Sequence, residues 1–346
     1  MKKQFLTGHQ IVTQACIDAG AKHMFGYPIT PGTEILTNWI DAAQTNPELT
    51  QLQTEDEIAA GFAVCGAVMA GNKAFTATAG PGTVLMQDAM SMADGMRLPV
   101  VVIIAQRGGP SSGTVIYSQQ EVNLAIHGGN GEGMRIVYSP STVEELYTHT
   151  RKVFNAAWKY RFPSVLLTDG FLLKTTQDVE LSFDTKNEKG DITIFEQNKK
   201  QHIRNIYTVE EELYEELQRQ KKDFDKMALE ITESEEYKIE DADIVIISHG
   251  IVGAAAKAAI DILRESGISV GLFRPITLSP FPTDALNTLA GRVKKFVIIE
   301  SSMGQLRDLV KQELDTSIAI KIDGLYKPAV GISVEEIVEK INLISK

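Results

Sequence analysis

Two hydrophobic patterns alternate along the first half of the chain: apolar residues at helical spacing, and short unbroken apolar runs. Residues 8–19 carry the helical pattern, and Gly20 follows as a stop signal. Residues 99–105 read P-V-V-V-I-I-A, which is typical of a parallel strand buried on both faces. Because helices and strands alternate in this way as far as residue 168, the pattern predicts a parallel α/β sheet with helices on both sides.

The pattern changes near residue 184, where Lys and Glu dominate and apolar residues become sparse. A charged helix is predicted over residues 210–230, either as a solvated linker or excursion helix or as an arm that docks on a partner. Apolar strands return at residue 243 and again alternate with helices. The chain is therefore predicted to be α/β, with two parallel-sheet, three-layer domains (residues 1–183 and 243–346) joined by the charged segment 184–242.

The length of the chain indicates how many domains it can form, and its net charge excludes some classes of partner. With 346 residues the chain is long enough for two domains, and its 23% charged content is ordinary for a globular protein. The net charge of −11 argues against nucleic acid or an anionic membrane as the main partner, since both need a basic face. The net charge does not argue against a local basic pocket for a small anion.

The two cysteines, Cys16 and Cys65, lie far apart in predicted helices and are expected to be buried thiols. Without a C-x-x-C pair, this chain is not expected to hold an iron–sulfur cluster or a structural zinc by itself. Low cysteine use fits a reducing cytoplasm. The first residues lack the apolar core of a signal peptide, and no apolar run approaches the length of a membrane span.

Glu57 is the residue best suited to proton chemistry. It stands where a polar cluster, T-E-D-E, meets a helix of apolar and small residues predicted over residues 55–70. That helix has no polar face, which predicts that it is buried all round and that Glu57 lines an apolar cavity with a raised pKa. The alternative is a capping box, with Thr54 as the cap and Glu57 bonded back to its amide.

Two loops are expected at the same edge of the sheet. Residues 27–34 read Y-P-I-T-P-G-T-E, where the prolines forbid a helix until Thr33 can cap the next one. Residues 106–113 read Q-R-G-G-P-S-S-G and follow the buried strand. Ligands of open α/β sheets bind at the carboxyl ends of the strands. Arg107 is therefore either a ligand-binding cation or a loop arginine in a surface salt bridge.

The stretch from Glu57 to Gly82 resembles part of the thiamine diphosphate enzymes. Residues 57–66 fit E-x-x-A-x-x-A-x-x-G, and A-T-A-G-P-G ends the next strand. Both features are similar to the pyrimidine-binding domain of that superfamily. The resemblance implies that Glu57 hydrogen-bonds N1′ of the cofactor's aminopyrimidine and favours its imino tautomer, which suits a carboxyl group with a raised pKa.

The two loops narrow the resemblance. Y-P-I-T-P and Q-R-G-G-P are similar to the hallmarks of the alpha subunit of 2-oxoacid:ferredoxin oxidoreductases, and the resemblance continues through D-E-I-A-A, R-I-V-Y-S-P and M-G-Q-L. It covers most of the chain outside roughly residues 184–243. It implies that Thr30 hydrogen-bonds the head of the 2-oxoacid, that Arg107 pairs with its carboxylate, and that the backbone near Pro28 and Ile29 contacts the aminopyrimidine.

The parts that the sequence lacks imply partner subunits. These enzymes bind the diphosphate through Mg²⁺ and a G-D-G motif with a later N, whose nearest counterpart is Asp169-Gly170, so no metal ligand is assigned here. The resemblance implies a beta subunit with the diphosphate and Mg²⁺ site and an iron–sulfur cluster, together with gamma and ferredoxin-like subunits. The second domain, with V-G-L-F-R-P and V-I-I-E, resembles the transketolase C-terminal domain, which is usually structural.

The leading hypothesis is an alpha subunit of such an oxidoreductase. The reaction is then the oxidative decarboxylation of a 2-oxoacid to an acyl-coenzyme A, with electrons passed to ferredoxin. 2-Oxoglutarate is favoured over branched-chain 2-oxoacids and pyruvate. A half-chain of a transketolase-like or 2-oxoacid dehydrogenase enzyme is the second hypothesis, although the Q-R-G-G-P loop speaks against it. A non-catalytic scaffold subunit is the third.

Overall fold

The computed structural model describes residues 3–181 and 203–345. The domain junction expected at residues 183 and 184, and the charged segment as far as residue 202, lie outside these residues. Within the two described ranges, every helix is too short or too polar to cross a membrane.

The first range alternates strands and helices as its hydrophobic pattern predicts. In chain order the elements are β1 (Gln4–Thr7), α1 (Gly8–Asp18), β2 (His23–Gly26), α2 (Thr33–Thr45), β3 (Thr50–Gln53), α3 (Glu57–Met69), β4 (Ala74–Thr78), α4 (Pro81–Leu85), α5 (Gln87–Gly95), β5 (Val101–Gln106), α6 (Val122–His127), β6 (Ile136–Tyr138), α7 (Val143–Tyr160), β7 (Ser164–Asp169), α8 (Gly170–Lys174) and β8 (Thr176–Val179). β1 pairs with β8, and β2 to β7 form a parallel sheet in the order β6-β7-β5-β4-β2-β3. β4 to β7 are buried along their whole length, so the predicted doubly covered sheet is confirmed.

The second range forms another α/β unit. Its elements are α9 (Glu210–Ile231), β9 (Ser234–Tyr237), β10 (Ile244–Ile247), α10 (Gly250–Glu265), β11 (Val270–Pro275), β12 (Thr277–Ser279), α11 (Thr283–Ala290), β13 (Lys295–Glu300), α12 (Gln305–Glu313), β14 (Lys321–Tyr326) and α13 (Val334–Ile344). β14, β13, β10 and β11 are parallel neighbours in that order, and β9 adds an antiparallel edge. The predicted class, with two mainly parallel sheets, is confirmed.

One strand crosses from the second unit to the first sheet. β12 pairs antiparallel with β6, where Thr277 lies opposite Tyr138. The buried Arg274 bridges the same boundary, because its Nη2 donates to Glu145 of α7 at 2.6 Å. The two units therefore share backbone and side-chain bonds, and the division at residue 243 stays a prediction.

Local signals account for several helix ends. α1 ends before Gly20, whose φ of 85° is the left-handed conformation that favours glycine. Thr142 caps α7 by accepting from the Glu145 amide at 3.2 Å. The prediction that Thr33 caps α2 is wrong: Thr33 is already the first helical residue, and Gly32 precedes it without a side-chain cap.

The predicted charged helix is present as α9, and it packs against the first unit. Phe224 meets Phe162 edge-on with ring centroids 5.2 Å apart, and Met227 and Ile231 are buried. Most of its other residues are exposed. α9 is thus an amphipathic helix anchored by a narrow apolar stripe.

Candidate functional site

The loop after β2 lies at the carboxyl edge of the first sheet. Pro28 and Thr30 are exposed, Ile29 is half-buried, and the Thr30–Pro31 peptide is cis. The loop is tied to α1, because His9 Nε2 donates to the Pro31 carbonyl oxygen at 2.9 Å. The backbone is therefore held in place while Pro28 and Thr30 stay accessible to a ligand.

Glu57 is the first residue of α3, and its side chain is buried. The cap is Asp56, whose Oδ1 accepts from the Ala59 amide at 2.7 Å, while the Thr54 hydroxyl donates to the Asp56 carbonyl oxygen. The capping box predicted from Thr54 and Glu57 is therefore wrong, and capping does not explain the glutamate. Burial raises the pKa of the Glu57 carboxyl above its ordinary value, and the charge of Arg107 opposes part of that increase.

The two glycines of the turn after β4 make room for two functional side chains. A Cβ atom at Gly82 would lie 2.3 Å from Glu57 Oε1 and 2.2 Å from Thr78 Oγ1. A Cβ atom at Gly80, whose φ is 53°, would lie 2.6 Å from Arg107 Nε. The Gly-Pro-Gly turn therefore contacts both Glu57 and Arg107, because neither glycine places a side chain against them.

Arg107 follows β5 and is only 6% exposed. Its Nη1 donates to the Thr30 carbonyl oxygen at 2.7 Å, which joins the two loops identified from the sequence. Its Nε is buried without a hydrogen-bond partner. The alternative of an arginine in a surface salt bridge is therefore wrong, and the guanidinium keeps donors for an acidic ligand.

Two family models match this sequence. The model for the thiamine diphosphate-binding domain of pyruvate flavodoxin/ferredoxin oxidoreductases matches residues 14–248, and the model for core domain II of pyruvate:ferredoxin oxidoreductase matches residues 242–331. The chain belongs to the 2-oxoacid:ferredoxin oxidoreductase family. The resemblance inferred from the loop motifs is thereby confirmed.

Relatives of this oxidoreductase chain match along nearly its whole length. The ketoisovalerate oxidoreductase subunit VorB of Methanothermobacter thermautotrophicus is 34% identical over 318 residues, 90% of either chain. The 2-oxoglutarate synthase subunit KorA of Methanocaldococcus jannaschii is 32% identical over 363 residues, 95% of this chain and 98% of the relative. The predicted enzyme class, an oxidoreductase acting on 2-oxoacids, is confirmed.

The same family appears among solved structures. The 2-oxoglutarate:ferredoxin oxidoreductase of Magnetococcus marinus, with 2-oxoglutarate, coenzyme A and succinyl-CoA bound, matches with a TM-score of 0.88 and 27% identity, over 100% of this chain and 66% of that one. A split-gene transketolase matches with a TM-score of 0.63 and 14% identity over 98% of each chain, which is a likeness of fold. The predicted succession of a thiamine diphosphate-binding fold and a transketolase-like unit is confirmed.

The oxidoreductase chain shows no metal centre in its two described ranges: histidine, cysteine and carboxylate side chains do not cluster there in groups of three. Asp169 serves as a cap, because its Oδ1 accepts from the Leu172 amide at 2.9 Å at the start of α8. Cys16 and Cys65 are free and buried, as expected from the sequence, and burial raises the pKa of Cys65 to about 12.

One buried carboxylate beside these loops could not be singled out from the sequence. Glu121 precedes α6, and its two oxygens contact the backbone of Gly80 and Arg107 and the hydroxyl of Thr83. These partners lie between 14 and 41 residues away along the chain. The local sequence S-Q-Q-E-V-N reads as an ordinary polar turn, so no short-range signal marks the glutamate.

Proposed function

We propose that this chain is the alpha subunit that supplies the aminopyrimidine half of a thiamine diphosphate site, with Glu57 as the residue that activates the cofactor. The supporting observation is the buried Glu57 carboxyl packed on Gly82, with Arg107 packed on the same turn. A carboxyl with a raised pKa and a cation for a carboxylate are the groups that 2-oxoacid decarboxylation would need from this half of the site.

The residues around the turn fit the cofactor. Gly82 has no side chain beside Glu57, and Thr78 Oγ1 is buried there without a hydrogen-bond partner. The backbone near Pro28 and Ile29 is the second proposed contact for the aminopyrimidine. When bound, thiamine diphosphate supplies the carbon nucleophile that adds to the 2-oxo group and takes up the electron pair left by loss of CO₂.

The side chains of this chain have separate proposed roles. Glu57 shares a proton with ring nitrogen N1′, and its raised pKa brings the carboxyl closer to the working pH. Arg107 binds the substrate carboxylate with the N–H groups that the Thr30 carbonyl leaves unused. The Thr30 hydroxyl hydrogen-bonds the 2-oxo head. Together Arg107 and Thr30 restrict the orientation in which the acid binds, which lowers the entropic cost of reaction.

A beta subunit is proposed to supply the diphosphate and Mg²⁺ site and the iron–sulfur cluster. The prediction that α3 is buried all round is wrong for the single chain: Ile58 is 39% exposed, and Phe62 is half-buried. On α4, which packs against α3, Val84 and Leu85 are also exposed. An exposed apolar face on α3 and α4, beside the Glu57 carboxyl, supports a subunit interface there.

The complete enzyme is proposed to include gamma and ferredoxin-like subunits and to use coenzyme A and ferredoxin. A cytoplasmic location is proposed, because low cysteine use fits a reducing compartment.

2-Oxoglutarate is the proposed substrate, and a branched-chain 2-oxoacid is the second candidate. The names of the KorA relative and of the Magnetococcus structure support the first, and the name of the VorB relative supports the second. The ratio of kcat/KM for 2-oxoglutarate to that for 2-oxoisovalerate, measured on one preparation of the complex, decides between them. A higher value for 2-oxoisovalerate would overturn the choice.

The purified complex tests the function. It is expected to retain thiamine diphosphate and iron and to reduce methyl viologen when a 2-oxoacid and coenzyme A are present. Glu57→Ala should reduce turnover by about 10²-fold or more, whereas the exposed Glu55→Ala should not. Near wild-type turnover in Glu57→Ala would contradict the assigned role. A complex without thiamine diphosphate would support a scaffold subunit, and reduction of NAD in place of viologen would support a dehydrogenase half-chain.

A further inference from the structure

Glu121 holds two loops of the proposed site together. Its Oε1 accepts from the Gly80 amide at 2.9 Å and from the Arg107 amide at 3.0 Å, and its Oε2 accepts from the Thr83 hydroxyl. The side chain is 3% exposed. Three donors on one buried carboxylate form charge-assisted hydrogen bonds, and these fix the turn at residues 80–83 relative to the residue that follows β5.

The segment that carries Glu121 is held in turn by the second unit. Gln119 is buried; its Oε1 accepts from the Ser301 amide at 2.9 Å, and its Nε2 donates to the His249 carbonyl oxygen at 2.8 Å. The backbone N–H of Gln119 also donates to the Ser301 carbonyl oxygen at 3.0 Å. Gln305 Nε2 donates to the Gln120 carbonyl oxygen at 2.8 Å. Residues 119–121 therefore connect the loops after β10 and β13 to the proposed site.

We propose that Glu121 is a positioning residue for recognition of the substrate carboxylate, and that the second unit fixes its place through Gln119. This inference rests on the proposed function, because it concerns the orientation of Arg107. Three contacts orient Arg107. Its backbone N–H donates to Glu121, its guanidinium Nε packs on Gly80, and its Nη1 donates to the Thr30 carbonyl oxygen. Loss of the Glu121 carboxylate releases both the Arg107 backbone and the turn that its guanidinium packs against. The second unit then contributes to substrate affinity as well as to the fold.

A glutamine at this position separates positioning from charge. In Glu121→Gln the amide oxygen still accepts from the Gly80 and Arg107 amides, and the amide nitrogen donates to the Thr83 hydroxyl, which can accept as well as donate. In Glu121→Ala all three bonds are lost. If the negative charge of Glu121 is needed, both variants lose activity. If Glu121 acts by positioning the loops, only the alanine variant loses activity.

The experiment uses the intact complex and measures kcat, the KM for the 2-oxoacid and the bound thiamine diphosphate. Glu121→Ala is expected to raise KM by about tenfold or more, because charge-assisted bonds to the Arg107 loop are lost. Glu121→Gln is expected to stay within about threefold of the wild type. Glu132→Gln changes an exposed glutamate in the loop after α6 and is expected to leave both constants unchanged.

Two further sets of variants test the contacts of Glu121 and its segment. Gln119→Leu removes the side-chain bonds to Ser301 and His249 and should also raise KM. If Glu121→Ala does not assemble, Thr83→Val removes one donor and should raise KM, whereas Thr83→Ser keeps the donor and should not. An unchanged KM in the alanine and valine variants, or equal losses in Glu121→Gln and Glu121→Ala, would overturn the proposal. A wild-type complex without 2-oxoacid-dependent viologen reduction would instead contradict the proposed function.

Discussion

Replacing Gly82 with alanine tests the site at a point where the packing leaves no room for a side chain. The added Cβ would lie 2.3 Å from Glu57 Oε1 and 2.2 Å from Thr78 Oγ1, whereas ordinary contact begins at 3.4 Å. Gly82 is not among the residues with positive φ, so the backbone itself accepts alanine. Relief of the contact requires a relative movement of about 1 Å between the turn and the Glu57 carboxyl, because repulsion rises steeply inside contact distance.

A displacement of that size at a reacting group costs about 10²-fold in rate. Gly82→Ala is therefore expected to lower kcat for viologen reduction by about 10²-fold, with a smaller change in KM, because the nearest neighbours of the added Cβ are Glu57 and Thr78, whereas Arg107 packs on Gly80. Overpacking should also reduce the free energy of unfolding by about 1–3 kcal/mol. Gly331→Ala is the matched control, since a Cβ there meets no atom within 4 Å. Wild-type kcat in assembled Gly82→Ala would refute the packing of Glu57 against the turn.

Three further outcomes are expected. Arg107→Lys should raise the KM for the 2-oxoacid by about tenfold or more without a matching loss of kcat, because an ammonium lacks the planar fork; an unchanged KM would remove Arg107 from the binding site. Burial lowers the pKa of His249 from 6.5 to about 3, so below pH 6.5 the unfolded chain alone takes up the proton and the free energy of unfolding falls by as much as about 1.4 kcal/mol per pH unit. Between pH 7 and pH 5, urea titrations should show a smaller fall in the free energy of unfolding for His249→Asn than for the wild type. An equal fall in both proteins would contradict the role of His249 in this pH dependence. Arg274→Met leaves Glu145 and Glu235 without their buried partner and should cost about 3 kcal/mol of unfolding free energy, measured by urea denaturation against the exposed Arg292→Met as control.

Much of the fold follows from local patterns in the sequence. The apolar run at residues 99–105 predicts the buried strand β5, and the stop signal at Gly20 predicts the end of α1. These predictions succeed because the period of apolar side chains and the chemistry of helix ends act over a few residues. The expected proximity of Thr30 and Arg107 follows from one additional rule, that the carboxyl ends of parallel strands share an edge, and a 2.7 Å hydrogen bond joins them.

Two predictions for α3 were wrong, and each has a physical reason. The capping prediction for Thr54 failed because Asp56, one residue before the helix, offers its carboxylate to the Ala59 amide. The exposure of Ile58 could not be predicted either. A helix that is apolar on every face is expected to be buried, but its sequence does not show whether its own chain or a partner subunit buries it.

The sequence by itself therefore determined the α/β succession, the family and the residues proposed for chemistry, since these are written in short motifs and in hydrophobic period. The tertiary structure alone decided that Gly80 and Gly82 contact Arg107 and Glu57, and that Glu121 joins their loops from up to 41 residues away. The physical reason is that packing distances and buried hydrogen bonds depend on how distant segments of the chain pack together, and the local sequence pattern carries no signal of that packing.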